Sequence, residues 1–243
     1  MTPVADLNPP PLLKVAHLCK FFGRHMGCHD ISFEVCPGEV IGVVGESGSG
    51  KSTLLNCIAG RIRSSNGSVW FRTPAGMEDL CRCEEARMRQ IIRTRTGYVT
   101  QHAAQGLKMH ISAGGNIGEK LMAAGTRHYG KIREAALMWL DKVEIDPGRI
   151  DDLPSTFSGG MQQRLQIAAN LVTAPEILLM DEPTSGLDVS VQARLIDVLR
   201  KLVFSLNLSM ILVTHDLAVA RLLCHRLYVM KQGEIVESGL SDQ

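Results

Sequence analysis

The chain has 243 residues, 45% of them hydrophobic and 21% charged, which is globular composition and excludes a disordered chain or a coiled-coil rod. At roughly 150 residues per domain it holds one medium domain with an added lobe. Twenty-six Lys and Arg against 25 Asp and Glu leave a formal net charge of +1, which argues against a protein whose main task is to neutralise nucleic-acid phosphates.

The N-terminus, with Asn8-Pro9-Pro10-Pro11, has neither the basic start nor the apolar stretch of a secretory signal and reads as an extended tail over residues 1–11. Leu12 to Leu18 and Ile31 to Val35 read as short aliphatic strands. Pro37-Gly38 is a turn, and Val40 to Val44 is a continuous apolar run suited to a strand buried on both faces. A Gly-rich loop follows, then a helix from Ser52 to Ala59 and a strand from Ser68 to Phe71. Glu84 to Arg95 is helical and basic; with Glu84 and Glu85 among its arginines it reads as a solvated face. Gly97 to Thr100 is a strand.

From Ala113 to Val143 the pattern is helical, with Ile132, Ala135, Ala136, Trp139, Leu140 and Val143 on one amphipathic face. Gly114, Gly115, Gly118 and Gly125 leave bare backbone there, for close packing on a partner or as ordinary helix breaks. Gly159 to Val172 is a further helix, Ile177 to Met180 a buried strand, Val189 to Phe204 a helix and Met210 to Thr214 a strand. Asp216 to Leu223 is helical, and Leu227 to Met230 with Glu234 to Glu237 forms a hairpin around Gly233. Strands alternating with helices imply a largely parallel α/β sheet covered on both sides. The strand-poor segment 101–171 is then a helical lobe inserted into a core of 12–100 and 172–243. No apolar run approaches the roughly 20 residues that span a bilayer. The seven cysteines lack paired metal-ligand spacing and read as reduced, mostly buried thiols, which favours the cytoplasm.

Two motifs carry chemistry. Gly45-Glu46-Ser47-Gly48-Ser49-Gly50-Lys51-Ser52, followed by Thr53, lies between an apolar strand and a helix. Its glycines let backbone N–H groups turn toward anionic oxygens, and the helix N-terminus adds free donors and the positive dipole end. Lys51 is placed to meet terminal phosphates and Ser52 to ligate Mg²⁺. Ile177 to Met180 delivers Asp181 and Glu182 at the C-terminal end of a strand, where ligands bind in open α/β sheets. Asp181 suits Mg²⁺ and Glu182 suits a general base. Neighbouring strand residues point apart, so the chain must bend just after Asp181 for both to serve one site.

The remaining motifs resemble those of ATP-binding cassette (ABC) proteins. Phe157-Ser158-Gly159-Gly160-Met161-Gln162-Gln163-Arg164 resembles the family signature, Asp181 to Asp188 its Walker B and D-loop run, Thr214-His215-Asp216 its switch histidine and Gln101 its Q-loop glutamine. The resemblance covers residues 12 to 239. It implies a P-loop NTPase (RecA-like) core with an inserted helical subdomain and N-terminal antiparallel β strands. It further implies an ATPase taking ATP and Mg²⁺, with Lys51, Gln101, Glu182 and His215 catalytic. Phe22 would stack on adenine, and Ser52, Gln101 and Asp181 would serve the metal. Ser158, Gly159, Gly160 and Asp188 would act across a head-to-tail dimer with a second ABC protomer. The other seven histidines read as structural or solvent-exposed. Met161 stands where Gln is usual and Phe22 where Tyr is usual; Met161 and Leu187-Asp-Val-Ser-Val-Gln192 resemble the dipeptide and oligopeptide importer branch. The lobe stretches Ser112 to Gly130 and Glu144 to Gln166 resemble the ATPase subunits of bacterial carbon–phosphorus lyase systems. That implies docking on lyase core subunits during phosphonate breakdown. A membrane permease as partner belongs to the alternative, an importer for peptides, nickel or phosphonates.

Overall fold

The computed structural model describes residues 10–241, so most of the proline-containing tail lies outside it. In chain order the first elements are β1 (Leu13–Phe22), β2 (His25–Val35), β3 (Val40–Val44), α1 (Lys51–Ile58), β4 (Asn66–Thr73) and β5 (Gly76–Asp79). Then come α2 (Glu85–Arg95), β6 (Thr96–Val99), α3 (Ala103–Gly106), α4 (Ala113–Ala123), α5 (Tyr129–Lys142) and α6 (Gly159–Leu171). The chain ends with β7 (Ile177–Asp181), α7 (Val189–Leu206), β8 (Ser209–Thr214), α8 (Leu217–Leu223), β9 (Arg226–Lys231) and β10 (Glu234–Leu240).

The strands form two sheets. One is antiparallel, in the order β2-β1-β4-β5; the other runs β10-β9-β3-β8-β7-β6 and is parallel except for β10. Every residue of β3, β7 and β8 is buried, in keeping with their predominantly apolar sequences. Successive side chains enter different cores. Ile41, Val43, Ile177, Leu179, Ile211 and Val213 pack with α1 and the antiparallel sheet. Val40, Val44, Leu178, Met180, Met210 and Leu212 pack with α5, α6, α7 and α8. Burial of this kind contributes roughly 25 cal/mol per Å² of apolar surface, so both cores hold the parallel sheet in place. Among the described residues, no helix is long and apolar enough to cross a membrane.

The structure departs from the sequence reading at three places. The first hairpin is longer than Leu12–Leu18 and Ile31–Val35, because β1 runs on to Phe22 and β2 begins at His25. Register shifts along the pair, with His17 and Asp30 both at φ 50°, break the alternation that would have marked these strands. β5 is a short, largely polar edge strand with no apolar signature. The helical stretch 113–143 is two helices. Gly125 ends α4 at φ +104°, with Gly125 N–H donating to Met122 O and Thr126 N–H to Leu121 O. His128 then caps α5 by accepting the Lys131 N–H.

The lobe glycines find their use inside the lobe. A Cβ on Gly114 would stand 2.4 Å from Ile150 Cγ1, and one on Gly118 2.6 Å from Ile132 Cγ2. The bare face of α4 therefore lies against α5 and the segment around Ile150. The arginines of 82–95 are also engaged within the fold. Arg87 forks onto Glu78 at 3.0 and 2.7 Å, Arg93 donates to Ala123 O, and Arg95 pairs with Glu176. Cys19, Cys28, Cys57 and Cys224 are buried, and all seven thiols are free.

Candidate active site

The Gly-rich loop joins β3 to α1 at the C-terminal edge of the parallel sheet. Gly50 has φ +101°, and a Cβ there would lie 2.0 Å from Gly27 O; a Cβ on Gly45 would lie 2.2 Å from Met230 O. The loop is thus pressed between β2 and β9, and only glycine fits at either position. Lys51 is 4% exposed and folds back over the loop, donating from Nζ to Gly45 O and Glu46 O at 2.8 Å each. Burial pushes its ammonium below the ordinary lysine value, although Glu182 and Asp181 oppose this.

The two carboxylates at the end of β7 share this site. Asp181 is buried and accepts the Ser52 hydroxyl at 2.8 Å. Burial pushes its carboxyl above the usual range despite that bond. The required bend occurs at Glu182 itself, whose φ is +43° while its N–H donates to Val213 O at 2.8 Å. Glu182 Oε1 thereby comes within 3.9 Å of Lys51 Nζ, and Oε2 meets His215 Nδ1 at 2.7 Å. A left-handed backbone at a non-glycine residue is strained, and here the strain aims a carboxylate.

Gln101, just after β6, lines the same open pocket as Gly45, Glu46, Ser47, Glu182, Ser185 and His215, a space of about 700 Å³. Its Nε2 donates to Ser185 Oγ at 3.1 Å, so in this state the amide is held by the loop after Glu182. Phe22 ends β1 as a 48% exposed ring with Lys20 Nζ 5.0 Å from its centroid. Its Cε2 and the Thr53 Cγ2 lie 3.0 and 2.8 Å from the point a Gly27 Cβ would occupy, which sets an open aromatic face beside α1.

The residues of the signature do not enter this pocket. Ser158 caps α6 by accepting the Met161 N–H at 3.3 Å, and Ser158 and Gly159 are exposed. A Cβ on Gly160 would stand 2.1 Å from Val191 Cγ1, so the start of α6 packs against α7. Asp188 is exposed at the start of α7 and makes no side-chain cap. Within one chain none of these four residues lines the Lys51 pocket, and Ser158, Gly159 and Asp188 are exposed outside it.

Two supporting groups carried no motif. Tyr98 on β6 donates to Asn56 Oδ1 at 3.2 Å, and Asn56 Nδ2 donates to Ser52 O at 2.7 Å. Burial raises the Tyr98 phenol to about 12. Ser185, which holds the Gln101 amide, lies within the Asp181 to Asp188 run. The tyrosine within the strand read at Gly97 to Thr100 is the one sequence signal that could have found this network. Further along, Gln163 Nε2 donates to Thr100 O at 3.1 Å, and the Gln166 amide meets Thr100 Oγ1 at 2.7 Å. Both tie α6 to the segment that carries Gln101.

The residues suit a phosphate chain and a hard divalent cation. Ser49 Oγ is buried beside Gly45 with no hydrogen-bond partner. The Ser52 hydroxyl and the Asp181 carboxylate offer two oxygen donors side by side. Lys51 supplies positive charge, and the first N–H groups of α1 have no partner within the helix.

The family model described as ABC transporter matches residues 28–185. The chain is 58% identical over 233 residues to the protein of Escherichia coli (strain K12) named as a phosphonates utilization ATP-binding protein, PhnK; the match covers 96% of this chain and 91% of that one. It is 35% identical over 240 residues to a protein of Brucella ovis named for peptide import ATP binding, covering 97% of this chain and 74% of that one. The fold superposes with a TM-score of 0.84 on the ATP-binding cassette MJ0796, solved as a dimer in a post-hydrolysis state bound to ADP and Pi. That pair is 28% identical, with 94% of this chain and 98% of the other covered.

Proposed function

The chain belongs to the ABC transporter family, and on that premise we propose that it is the ATPase driving conformational change in a carbon–phosphorus lyase assembly for phosphonate breakdown. It is an ABC ATPase, which binds ATP with Mg²⁺ as partner ion and hydrolyses it to ADP and phosphate. The finer reading is supported above all by the 58% identity to the phosphonates utilization protein, which runs through almost the whole chain. We place the core at 12–100 and 172–243, the helical lobe at 101–171, a tail at 1–11, and the protein in the cytoplasm.

The site residues take the following roles in this reading. The Gly45–Lys51 loop and Thr53 cradle the phosphates, and Phe22 stacks on the base. Lys51 uses two of its three N–H donors on the Gly45 and Glu46 carbonyls, and the third can meet a phosphate in a charge-assisted bond. Mg²⁺, held by Ser52, Asp181 and Gln101, supplies positive charge against phosphate oxygens. Glu182 polarises the attacking water, and His215 holds the Glu182 carboxylate in place through Nδ1. Gln101 donates to Ser185 through Nε2, which leaves its amide oxygen as the atom that would face the metal. Ser158, Gly159, Gly160 and Asp188 act on the nucleotide of a second protomer, for which the exposure of Ser158, Gly159 and Asp188 outside the pocket is suited. The dimeric cassette structures support that second protomer.

Affinity purification from cells grown on a phosphonate tests the assignment. Recovery of lyase core subunits is the expected result, and recovery of a membrane permease in their place overturns it. The 35% identity to a peptide import protein makes an importer ATPase the second reading.

A further inference from the structure

The run Leu187–Gln192 follows the acidic strand, yet Gln192 has no part in the site described above. It sits in the first turn of α7, where its N–H donates to Asp188 O at 2.8 Å. Its side chain crosses to the loop that carries His215, and Nε2 donates to Asp216 Oδ2 at 2.9 Å. The other carboxylate oxygen, Oδ1, caps α8 by accepting the N–H groups of Ala218 and Val219 at 2.9 and 3.2 Å. The Asp216 N–H donates to Thr214 Oγ1 at 3.0 Å. Burial opposes the charge on Asp216, but the hydrogen bonds from Gln192 and the two backbone groups outweigh it and hold the carboxyl below its ordinary value.

His215 is therefore fixed from both sides. Thr214 is 1% exposed at the end of β8, and Asp216 is anchored to two helices. Between them the imidazole reaches Glu182 at 2.7 Å. Gln192 is the part of this anchorage that comes from α7, the helix whose exposed start holds Asp188 and Val189.

We propose that Gln192 is a positioning residue for His215, acting through Asp216, and that it links the start of α7 to the Glu182–His215 pair. Only the kinetic part of the test rests on the ATPase reading. Gln192 lies outside the phosphate loop, so its loss acts on geometry during turnover and leaves nucleotide affinity alone.

Gln192→Leu removes the donor at nearly constant size. Gln192→Glu sets a carboxylate against Asp216. Gln192→Glu combined with Asp216→Asn restores a hydrogen bond of reversed polarity, and Asn remains a good helix cap. The histidine imidazole signals of nitrogen-15-labelled protein, assigned with His215→Ala, are followed without nucleotide, beside kcat, KM for ATP and Tm. In Gln192→Leu the His215 signals shift and kcat falls about tenfold, the scale of one hydrogen bond to a charged group, while KM stays within about twofold. Gln192→Glu loses more, and the double variant regains most of that loss. A simple brace between α7 and α8 predicts a lower Tm with unchanged His215 signals and kcat; that result overturns the proposal, as does a double variant no better than Gln192→Glu. A wild-type protein no faster than Lys51→Ala would instead refute the ATPase reading, and the imidazole signals would still decide the role of Gln192.

Discussion

Glu182 carries two duties in one residue: its left-handed backbone turns the chain, and its carboxylate joins Lys51 and His215. Glu182→Gln keeps the size and removes the base, so turnover should fall ~10²–10⁴-fold while ATP still binds; steady-state hydrolysis beside nucleotide binding checks this, and near-normal turnover would take the role from Glu182. Asp181 illustrates a cost of function. Its carboxyl is buried and pushed above the ordinary 3.8, so the charged form opposes folding at neutral pH. Asp181→Asn should therefore stabilise the nucleotide-free protein by about 1 kcal/mol, or about 2–4 °C in Tm, while abolishing Mg²⁺-dependent hydrolysis. The sign follows from the raised pKa. The gain is full above the folded value and shrinks as pH falls toward the unfolded one, which calorimetry at two pH values will show. Lys51, Ser52, Asp181 and Glu182 were singled out by their residue types after strands and His215 by its resemblance to the ABC motif, and the structure brings the five together. The partners of Gln101 and Gln192 were not legible in the sequence. Side-chain bonds spanning 84 and 24 residues leave no periodic trace in a sequence.

Among the elements, legibility followed burial. β3, β7 and β8 stood out because strands covered on both faces are predominantly apolar runs. The first hairpin was read short where its bulges upset the alternation, and β5 was missed because an edge strand this polar has no hydrophobic pattern. In the lobe the glycines were ambiguous until the close approach of α4 to its neighbours gave them a purpose. Gly118→Val tests that approach, since its Cβ would meet Ile132. Overpacking of this kind costs about 1–3 kcal/mol, visible as a lower urea midpoint, whereas nucleotide affinity at the loop before α1 should hold. A variant as stable as the wild type would mean that α4 and α5 separate without cost.

At the scale of the molecule, the chain presents its phosphate loop and its signature as separate surfaces, so a complete site calls for a second protomer. The Glu182→Gln protein with ATP should elute as a dimer and without nucleotide as a monomer; a persistent monomer, even with the proposed lyase partners supplied, contradicts the proposal. The near-neutral charge of the whole chain fits local phosphate binding through backbone and one lysine in place of a broad basic field. Architecture legible from strand and helix order did not reveal how the two cores share one sheet, because alternation within a uniformly apolar strand is invisible until its faces are known. That shared sheet has a consequence for hydrogen exchange. Amides of β3, β7 and β8 lie between both cores, so neither core can open alone and release them. They should exchange only through global unfolding, and the rim strands β2, β5 and β10 through cheaper local opening. These three strands are then the last parts of the molecule to exchange their protons for deuterium, and the slowest amides include the β7 segment from which Asp181 and Glu182 project.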